Sequence, residues 1–261
     1  MSQPLLQVEN LTILHRDTQN VLVSNITFSL EQAGILTLIG QSGSGKTMTC
    51  RAILGILSRH GFQIKGNVCF DGTALLSLKE KERNRYYGNQ IAFVPQNPMT
   101  ALDPSRKAGH QMAEFLRLHQ PMTKKNALSL CEKALIETGL NDTGRILGSL
   151  PGQLSGGMLQ RVLIALAIAG NARLIIADEP TTALDAVHRD QAVEQLLHLR
   201  EQGCALLLVT HDFHVVHHAK GQVLILKDGR IVEQGDSEEI LQNPQSEYTK
   251  ALLDAVHLDW R

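Results

Sequence analysis

One stretch decides the fold class, residues 40–47, which read Gly40-Gln41-Ser42-Gly43-Ser44-Gly45-Lys46-Thr47. It fills every fixed position of the phosphate-loop pattern G-x-x-x-x-G-K-[ST]. The mostly apolar run before it, residues 35–39, predicts a buried parallel strand, and residues 48–57 predict a helix. This is the strand, loop and helix context that the pattern requires, so the sequence predicts a site for a nucleoside triphosphate.

Each part of this loop has a predicted role. The glycines allow backbone N–H groups to turn inward around phosphate oxygens, and the N-terminus of the following helix favours negative charge. Lys46 is expected to reach the β- and γ-phosphates, and the Thr47 hydroxyl to coordinate Mg²⁺. A glycine-rich turn without a ligand is the simpler alternative, but the complete pattern in the right context disfavours it.

The composition is that of an ordinary globular protein of 261 residues. Its 26 acidic and 25 basic residues nearly balance, which argues mildly against duplex nucleic acid as the main partner, because such proteins usually have a basic surplus. The four cysteines have no C-x-x-C spacing and predict inert thiols in a reducing compartment. No secretory signal or bilayer-spanning stretch is recognisable, which predicts a cytosolic chain that reaches a membrane only through a partner.

Short apolar runs, with helical patterns between several of them, predict an α/β fold with a mostly parallel sheet. The pairs Asp71-Gly72 and Asp228-Gly229 predict hairpin turns of an antiparallel β part. The predicted strands are residues 5–11, 26–30, 35–39, 91–94, 174–177, 205–209 and 223–226.

The middle of the chain lacks such strand-like runs. Helical patterns occur there at residues 109–119 and 124–138, so we expect a helical insertion between two parts of one α/β core. The predicted organisation is a single domain of residues 1–261. Its parts are an α/β core of residues 1–96 and 157–235, a helical subdomain of residues 97–156 and a C-terminal tail of residues 236–261.

Two adjacent carboxylates, Asp178 and Glu179, end the predicted strand of residues 174–177. Such a strand delivers them to the carboxyl edge of the sheet, where the phosphate loop also opens. Asp178 is suited to hold Mg²⁺, directly or through water, and Glu179 can polarise the water that attacks the γ-phosphate. Adjacent acids also end strands on ordinary surfaces, and the phosphate loop earlier in the chain is what favours the functional interpretation.

A second helix start suited to an anion is Ser155-Gly156-Gly157, before the helical pattern of residues 159–169. Ser155 can cap that helix, and the two glycines allow a ligand close to the backbone. A capped helix after a flexible turn is the simpler interpretation. A head-to-tail dimer explains why one chain has two such starts, since each nucleotide would lie between the phosphate loop of one subunit and the Ser-Gly-Gly turn of the other.

Two further polar residues follow predicted strands. His211 comes after the strand of residues 205–209, where it can hydrogen-bond the γ-phosphate and hold the attacking water in line. Gln96 follows the strand of residues 91–94, opens the helical insertion and can contact Mg²⁺ or the water. A lone histidine at a strand end is more often structural, but this one accompanies a phosphate loop and paired acids.

These motifs, in this order, resemble the ATP-binding subunit of ABC transporters over nearly the whole chain. The resemblance implies an ATPase that forms a sandwich dimer, closes on two ATP molecules with Mg²⁺ and reopens after hydrolysis. It also implies an integral-membrane permease, to which Gln96 and the helical insertion couple the cycle at the cytoplasmic face of the cell membrane. The motifs are the phosphate loop, Gln96, Leu154-Ser155-Gly156-Gly157, Asp178-Glu179, Ala183-Leu184-Asp185 and His211.

Finer features resemble the peptide/nickel import branch of this family. They are residues 96–104, 155–161, 231–236 and 248–253. The short ending and the Met-Leu-Gln-Arg of residues 158–161 look most similar to the nickel-type subunit. The resemblance implies import of nickel, another transition metal, a metal chelate or peptides. It also implies an extracytoplasmic substrate-binding protein and either a homodimer or a second, different ATPase subunit.

The chain departs from the family pattern where the base would bind. Members usually have an aromatic residue near the end of the first strand that stacks on adenine. This chain has none between Leu11 and Ile26, which leaves His15 or Ile13 as alternatives.

A group of histidines after residue 211 raises the question of metal binding. His214, His217 and His218 share one face of a predicted helix, so a metal-sensing role is conceivable. Histidines on exposed helix faces are common, and none of the three is assigned as a ligand.

The competing function is a soluble ABC-type ATPase that acts on DNA or ribosomes. Such proteins usually carry a long coiled-coil insertion or two nucleotide modules, whereas this chain has one module and a compact insertion. A nucleotide-binding regulator without turnover is a third alternative, which Asp178, Glu179 and His211 together oppose. No nucleic-acid partner is therefore predicted.

Overall fold

The computed structural model describes residues 3–181 and 186–255. The chain divides into two compact units, the first of Met1–Glu80 with Ala205–Arg261 and the second of Lys81–Cys204. The segment Ala183-Leu184-Asp185, which the sequence analysis singled out, lies outside the described residues. In the part of the chain that the structure describes, no helix is long and apolar enough to span a bilayer.

Strands and helices follow one another along the described ranges in mixed order. They are β1 (Leu6–His15), β2 (Val21–Leu30), β3 (Ile35–Ile39), α1 (Lys46–Ile53), β4 (Phe62–Phe70), β5 (Thr73–Ala74), α2 (Glu80–Arg83), β6 (Ile91–Val94), α3 (Ala108–His119), α4 (Lys124–Glu137), α5 (Thr143–Gly148), α6 (Gly156–Ala169), β7 (Leu174–Asp178), α7 (Ala186–Glu201), β8 (Ala205–Thr210), α8 (Phe213–Ala219), β9 (Gln222–Lys227), β10 (Arg230–Asp236), α9 (Ser237–Gln242) and α10 (Glu247–Asp254).

Every strand predicted from an apolar run is confirmed, and the structure adds β4, β5 and β10. Strands β3 and β8 are mostly apolar along their whole length because all their residues are buried, and this makes them recognisable in the sequence. In β10 no residue is buried, and β4 contains exposed Lys65 and Gly66 in its middle. Strands of this kind lack the apolar alternation on which sequence-based recognition depends.

The first unit contains an antiparallel sheet in the order β2-β1-β4-β5. It also contains β3, which pairs in parallel with both β8 and β9, while β10 lies antiparallel to β9. Ile39 at the end of β3 stands opposite Thr210 at the end of β8. Because parallel strands end at the same sheet edge, Gly40 and His211 leave that edge side by side.

Both hairpin turns predicted from Asp-Gly pairs are confirmed. Asp71 and Gly72 have φ of 48° and 76°, and Asp228 and Gly229 have the same pair of values. Two successive residues in the left-handed region are typical of the tight turn that matches the twist of an antiparallel hairpin. The second turn joins β9 to β10 and contacts the phosphate loop, as described below.

The second unit combines the parallel pair β6 and β7 with a helical part. The helices predicted at residues 109–119 and 124–138 are α3 and α4. They bury apolar faces against α6 around a core that includes Met112, Leu116 and Cys131. Side chains cap the starts of two of these helices. The Thr123 hydroxyl accepts from the N–H of Asn126 at the start of α4, and the Asp142 carboxylate accepts from the N–H of Arg145 at the start of α5.

Candidate functional site

The phosphate loop joins β3 to α1 along a path that glycine permits. Gly45, the last residue before α1, has φ of 102°, a region that other residues rarely adopt. A Cβ on Gly40 would collide with the carbonyl oxygen of Leu226 in β9 and lie 2.7 Å from the Ser44 hydroxyl oxygen. The tight backbone approach at Gly40 therefore requires the absence of a side chain.

Lys46 lies inside this loop. Its side chain is 6% exposed, and its ammonium donates to the carbonyl oxygens of Gly40 at 2.6 Å and Gln41 at 3.1 Å. A buried ammonium is costly unless oxygen atoms surround it. The loop thus holds a positive charge close to its own first two residues.

Two features of the loop match an anion with several acceptor oxygens. The Ser44 hydroxyl is buried and has no hydrogen-bond partner, although such groups are nearly always satisfied. Helix α1 begins at Lys46 without a side-chain cap. The orphan hydroxyl, the uncapped helix start and the ammonium together fit phosphate oxygens.

The β9–β10 turn holds the loop from outside. The N–H of Gly229 donates to the carbonyl of Ser44 at 3.0 Å, and the carbonyl of Gly229 accepts from the N–H of Ser24 in β2 at 2.8 Å. A Cβ on Gly229 would collide with the carbonyl of Leu22. Sequence reasoning identified this turn but gave no sign that it contacts the loop.

His211 is exposed at the apex of a fixed turn. The Thr210 hydroxyl accepts from the N–H of Asp212 at 3.0 Å, and the Asp212 carboxylate caps α8 by accepting from the N–H of His214 at 2.8 Å. These bonds fix the backbone on both sides of His211. Together with the pairing of Ile39 and Thr210, they set His211 at the strand edge from which the loop departs.

In the second unit Asp178 ends β7, whose five residues are all buried, and Glu179 follows it directly. Asp178 is 3% exposed and Glu179 is 8% exposed. Glu179 has φ of 49°, a left-handed conformation that is uncommon for a residue other than glycine, asparagine or aspartate. Strain of this kind concentrates at functional sites, where surrounding structure maintains it.

Gln96 lies at the same edge of the β6–β7 pair as the acids. Val94 stands opposite Ala177, and Gln96 comes two residues after Val94 while Asp178 comes one residue after Ala177. The Gln96 side chain is exposed. Directly after it, Asn97 accepts from the N–H of Met99 at 3.1 Å and caps the 3-10 turn Pro98–Thr100. Gln96 therefore joins the acidic edge to a short capped turn that opens the helical part.

The predicted cap at Ser155 is confirmed. Its hydroxyl accepts from the N–H of Met158 at 3.3 Å and begins α6. A Cβ on Gly156 would meet no atom within 4 Å. Further along α6, the amide of Gln160 donates to the carbonyl of Pro180, directly after Glu179. Helix α6 therefore presents an open start at one end and contacts the acidic segment through its second turn.

The two alternatives for contact with a base differ in burial. Ile13 is fully buried in the first unit, so its side chain cannot face a nucleotide in this structure. His15, the last residue of β1, is half-buried and packs edge-to-face against Phe62 with ring centroids 5.6 Å apart. The N–H of Thr18 donates to its Nδ1 at 3.4 Å. The ring orientation of His15 is therefore fixed by its neighbours.

Among the described residues, the remaining histidines and the cysteines form no metal centre of their own. His217 and His218 stack edge-to-face at 5.7 Å, yet no set of three His, Cys, Asp or Glu side chains in residues 3–181 and 186–255 is arranged around a common metal position. Burial raises the pKa of the Cys131 and Cys204 thiols to about 12, which keeps both protonated and inert.

The structure therefore brings the predicted residues together in two sets. In the first unit, residues 40–47 and His211 leave one sheet edge side by side. In the second unit, Gln96, Asp178 and Glu179 share the carboxyl edge of the β6–β7 pair, and Ser155, Gly156 and Gly157 form the start of α6. Sequence reasoning missed the contacts of Gly229, Gln160 and Phe62, because each of them joins segments that are distant in sequence.

Comparisons with known proteins agree with one another. The family described as ABC transporter matches residues 23–182. The metal-staphylopine import system ATP-binding protein CntD of Staphylococcus aureus is 42% identical over 254 residues, which cover 95% of this chain and 92% of the relative. The dipeptide transport ATP-binding protein DppD of Escherichia coli (strain K12) is 38% identical over 255 residues, which cover 97% of this chain and 78% of the relative.

A solved structure shares the fold. It is the dimeric post-hydrolysis state of the ATP-binding cassette MJ0796 bound to ADP and Pi, with a TM-score of 0.78 and 26% sequence identity. The match covers 89% of this chain and 98% of that chain. Another match, cbiO1 from Clostridium perfringens, has a TM-score of 0.79 at 22% identity and shows the likeness of fold alone.

Proposed function

The chain belongs to the ABC transporter family and is the ATP-hydrolysing, energy-coupling subunit of an importer, and from that premise we propose what it imports and how its residues act. The proposed cargo is nickel or another transition metal, carried as a small chelate. The similarity to a metal-staphylopine import subunit over 92% of that relative's length supports this choice. Peptides are the second candidate, supported by the similarity to the dipeptide transport subunit.

The phosphate loop is proposed to bind the triphosphate of ATP. Lys46 supplies the positive charge for the β- and γ-phosphates, and the backbone N–H groups of residues 40–47 with the Ser44 hydroxyl supply donors. The observation that carries this assignment is the buried Ser44 hydroxyl without a partner beside a buried ammonium. The Ser44 hydroxyl has no partner in the protein, and a phosphate oxygen would supply one.

Mg²⁺ coordination is proposed for three oxygen donors, the Thr47 hydroxyl, the Gln96 amide and the Asp178 carboxylate. This donor set fits the preference of Mg²⁺ for hard oxygen ligands. When bound with ATP, the ion neutralises the charge that develops on the phosphates.

Hydrolysis is assigned to Glu179 and His211. The Glu179 carboxylate accepts a proton from water as the water oxygen attacks the γ-phosphorus and the bond to the β–γ bridging oxygen breaks. His211 hydrogen-bonds the γ-phosphate and holds the water in line. Products are ADP and inorganic phosphate, and the proton on Glu179 returns to solvent. The unusual φ of Glu179 supports this role.

A dimer is proposed to complete each site. The Ser155-Gly156-Gly157 turn would receive the γ-phosphate of ATP bound to the phosphate loop of the other subunit. The open space around Gly156 supports this, as does the similarity to a cassette solved as a dimer with ADP and Pi. The other subunit is either a second copy or a related ATPase, since this chain contains both kinds of half-site.

His15 is proposed to contact the adenine base. It ends β1 in the first unit, where its orientation is fixed by Phe62, while the alternative Ile13 is buried. An imidazole presents a smaller π-face than tyrosine or tryptophan, so we expect a modest contribution to ATP affinity.

The subunit is proposed to act at the cytoplasmic face of the cell membrane, bound to an integral permease. The permease would receive substrate from an extracytoplasmic binding protein. Gln96 and the helical part of the second unit are the proposed coupling elements. No nucleic-acid partner is proposed.

The deciding experiment uses a tagged Glu179→Gln variant, held in ATP during gentle extraction of membranes. We expect polytopic membrane proteins to co-purify, with or without a second ATPase, because loss of the base arrests the closed dimer. Exposed Glu194→Gln, in the same unit, is the matched control and should neither abolish turnover nor trap a complex. Uptake of nickel and of peptides through the identified permease then separates the two cargo classes.

The opposite outcome is equally specific. Recovery of ribosomes or DNA-processing proteins without any permease would favour the alternative of a soluble ABC-type ATPase. ATP turnover retained by Glu179→Gln would contradict the assigned base.

A further inference from the structure

The C-terminal helix α10 is fastened to the first unit at its start. The Glu233 carboxylate in β10 accepts from the N–H groups of Gln245 at 2.7 Å and Ser246 at 3.1 Å. The Ser246 hydroxyl then caps α10 by accepting from the N–H of Tyr248 at 3.2 Å. The place of Tyr248 is therefore set by hydrogen bonds on the chain directly before it.

Helix α10 packs on the core that supports the phosphate loop. Leu253 is buried in a cluster that contains Ile39, the last residue before the loop, and Phe213, the first residue of α8. Tyr248 and Leu252 pack against the same cluster. The helix thus packs on the end of the strand from which the loop departs and on the start of the helix that follows His211.

Tyr248 reaches the loop itself. Its hydroxyl oxygen accepts a hydrogen bond from the N–H of Gln41, the second residue of the loop, at 3.2 Å across 207 positions of sequence. Its ring lies 5.0 Å from the Lys227 ammonium at the end of β9. The ring and the hydroxyl therefore have separate contacts, which substitution can separate.

The N–H and the carbonyl of Gln41 are both hydrogen-bonded to side chains. Tyr248 accepts from its N–H, and the Lys46 ammonium donates to its carbonyl at 3.1 Å. Three residues on, the N–H of Gly229 donates to the carbonyl of Ser44. Residues 41–44 of the loop are therefore held at both ends by residues outside the loop, Tyr248 at Gln41 and Gly229 at Ser44. The Lys46 ammonium is hydrogen-bonded to the carbonyl of Gln41, at the first of these ends.

We propose that Tyr248 is a positioning residue for ATP binding, which acts by holding Gln41 and, through it, the carbonyl that orients Lys46. The inference rests on the proposed phosphate site. A loop already held in its binding conformation loses less entropy when a ligand arrives, so a tether that fixes it raises affinity without touching the ligand. Such a tether acts on the ground state and the transition state alike, so its loss raises KM and leaves kcat unchanged.

The test is Tyr248→Phe, which keeps the ring, its packing and its contact with Lys227 and removes only the hydroxyl. We expect the affinity of the purified full chain for ATP, measured by titration calorimetry, to fall about two- to tenfold, the range for one hydrogen bond. KM should rise by the same factor, while kcat and the thermal midpoint of unfolding stay at the wild-type values.

Thr249→Val is the matched control. The Thr249 hydroxyl is fully buried in the same helix and has no hydrogen-bond partner, so a valine methyl replaces it without the loss of a hydrogen bond. ATP affinity should be unchanged in this variant. Unchanged affinity in Tyr248→Phe, or an equal loss in both variants, would overturn the positioning role, and so would a lower kcat at unchanged KM.

Lys46→Ala separates failure of this inference from failure of the site on which it rests. If Lys46→Ala weakens ATP binding and Tyr248→Phe does not, only the positioning role is wrong. If neither variant affects binding, the assignment of the phosphate site is wrong and the inference falls with it.

Discussion

The phosphate loop and the Ser155-Gly156-Gly157 turn are both helix starts suited to phosphate, yet they are built in opposite ways. The loop leads into a helix without a side-chain cap and contains a buried ammonium and an orphan hydroxyl. The turn has a cap already satisfied by the N–H of Met158, and Ser155 is exposed. The loop contains a hydroxyl that no protein atom satisfies, whereas the capping hydroxyl of the turn is satisfied within the chain.

This difference assigns different parts of the cycle to the two regions. A preformed loop with unsatisfied donors binds a ligand in a single chain. An exposed, satisfied turn gains little from phosphate by itself and becomes useful when a second subunit brings phosphate to it. We therefore expect damage to the loop to abolish binding and damage to the turn to abolish turnover.

The largest effect is expected for Lys46→Ala. Loss of a charged donor inside the loop should weaken ATP binding about 100-fold, from hydrogen bonds that involve a charged group. Titration calorimetry on the purified chain measures this, with exposed Lys65→Ala in the same unit as the control. Wild-type affinity for ATP in Lys46→Ala would contradict the contrast between the loop and the turn, because the charge inside the loop would then contribute nothing to ATP binding.

A matched pair of glycines, Gly40 in the loop and Gly156 in the turn, tests the difference in backbone crowding between the two regions. Gly40→Ala should lower the free energy of unfolding by about 2 kcal/mol or more, since its Cβ would strike the Leu226 carbonyl. Gly156→Ala faces open space and should change stability by only about 0.5 kcal/mol, with ATP binding retained and turnover reduced. Urea unfolding and ATPase assays measure both. Equal destabilisation by the two substitutions would contradict the difference in backbone crowding.

Two substitutions at Ser155 sharpen the role of the turn. Ser155→Ala should cost about 1 kcal/mol of stability through the lost cap. Ser155→Asp keeps a capping oxygen but places a carboxylate where phosphate would arrive, so stability should persist while cooperative ATPase activity is lost. Binding of ATP to the single chain should be normal in both. Full activity in Ser155→Asp would show that no anion meets this turn.

The smallest effect is expected at His15, which contributes to the loop's half of the site. His15→Ala should lower ATP affinity about threefold, the scale of one aromatic contact. Affinity for inorganic triphosphate should stay unchanged, because that ligand has no base. The neighbouring exposed His60→Ala is the control. A parallel loss for both ligands would mean that His15 supports the fold rather than the base.

Sequence predicts well what depends on local chemistry. The loop, the apolar strands, the Asp-Gly turns and the Ser155 cap all follow from adjacent residues and are present in the structure. It failed at β10, whose residues are all at least partly exposed. It also failed at contacts that join distant segments, such as Tyr248 with Gln41, for which no periodicity or motif gives a signal.

The φ of Glu179 and the orphan Ser44 hydroxyl belong to the same class of missed features. Both depend on how surrounding elements pack, and neither is encoded in the type of residue. They support the site assignments because each falls on a residue that the sequence had already placed at the site.

The position of β3 has a consequence for the order of events during synthesis. Its two parallel neighbours are β8 and β9, and the turn that holds Ser44 follows β9 at Gly229. A nascent chain therefore exposes the phosphate-loop segment long before the strands that flank it have left the ribosome. We expect nucleotide to be captured only near the end of translation, with the N-terminal part awaiting distant partners as a slow, non-local step of folding.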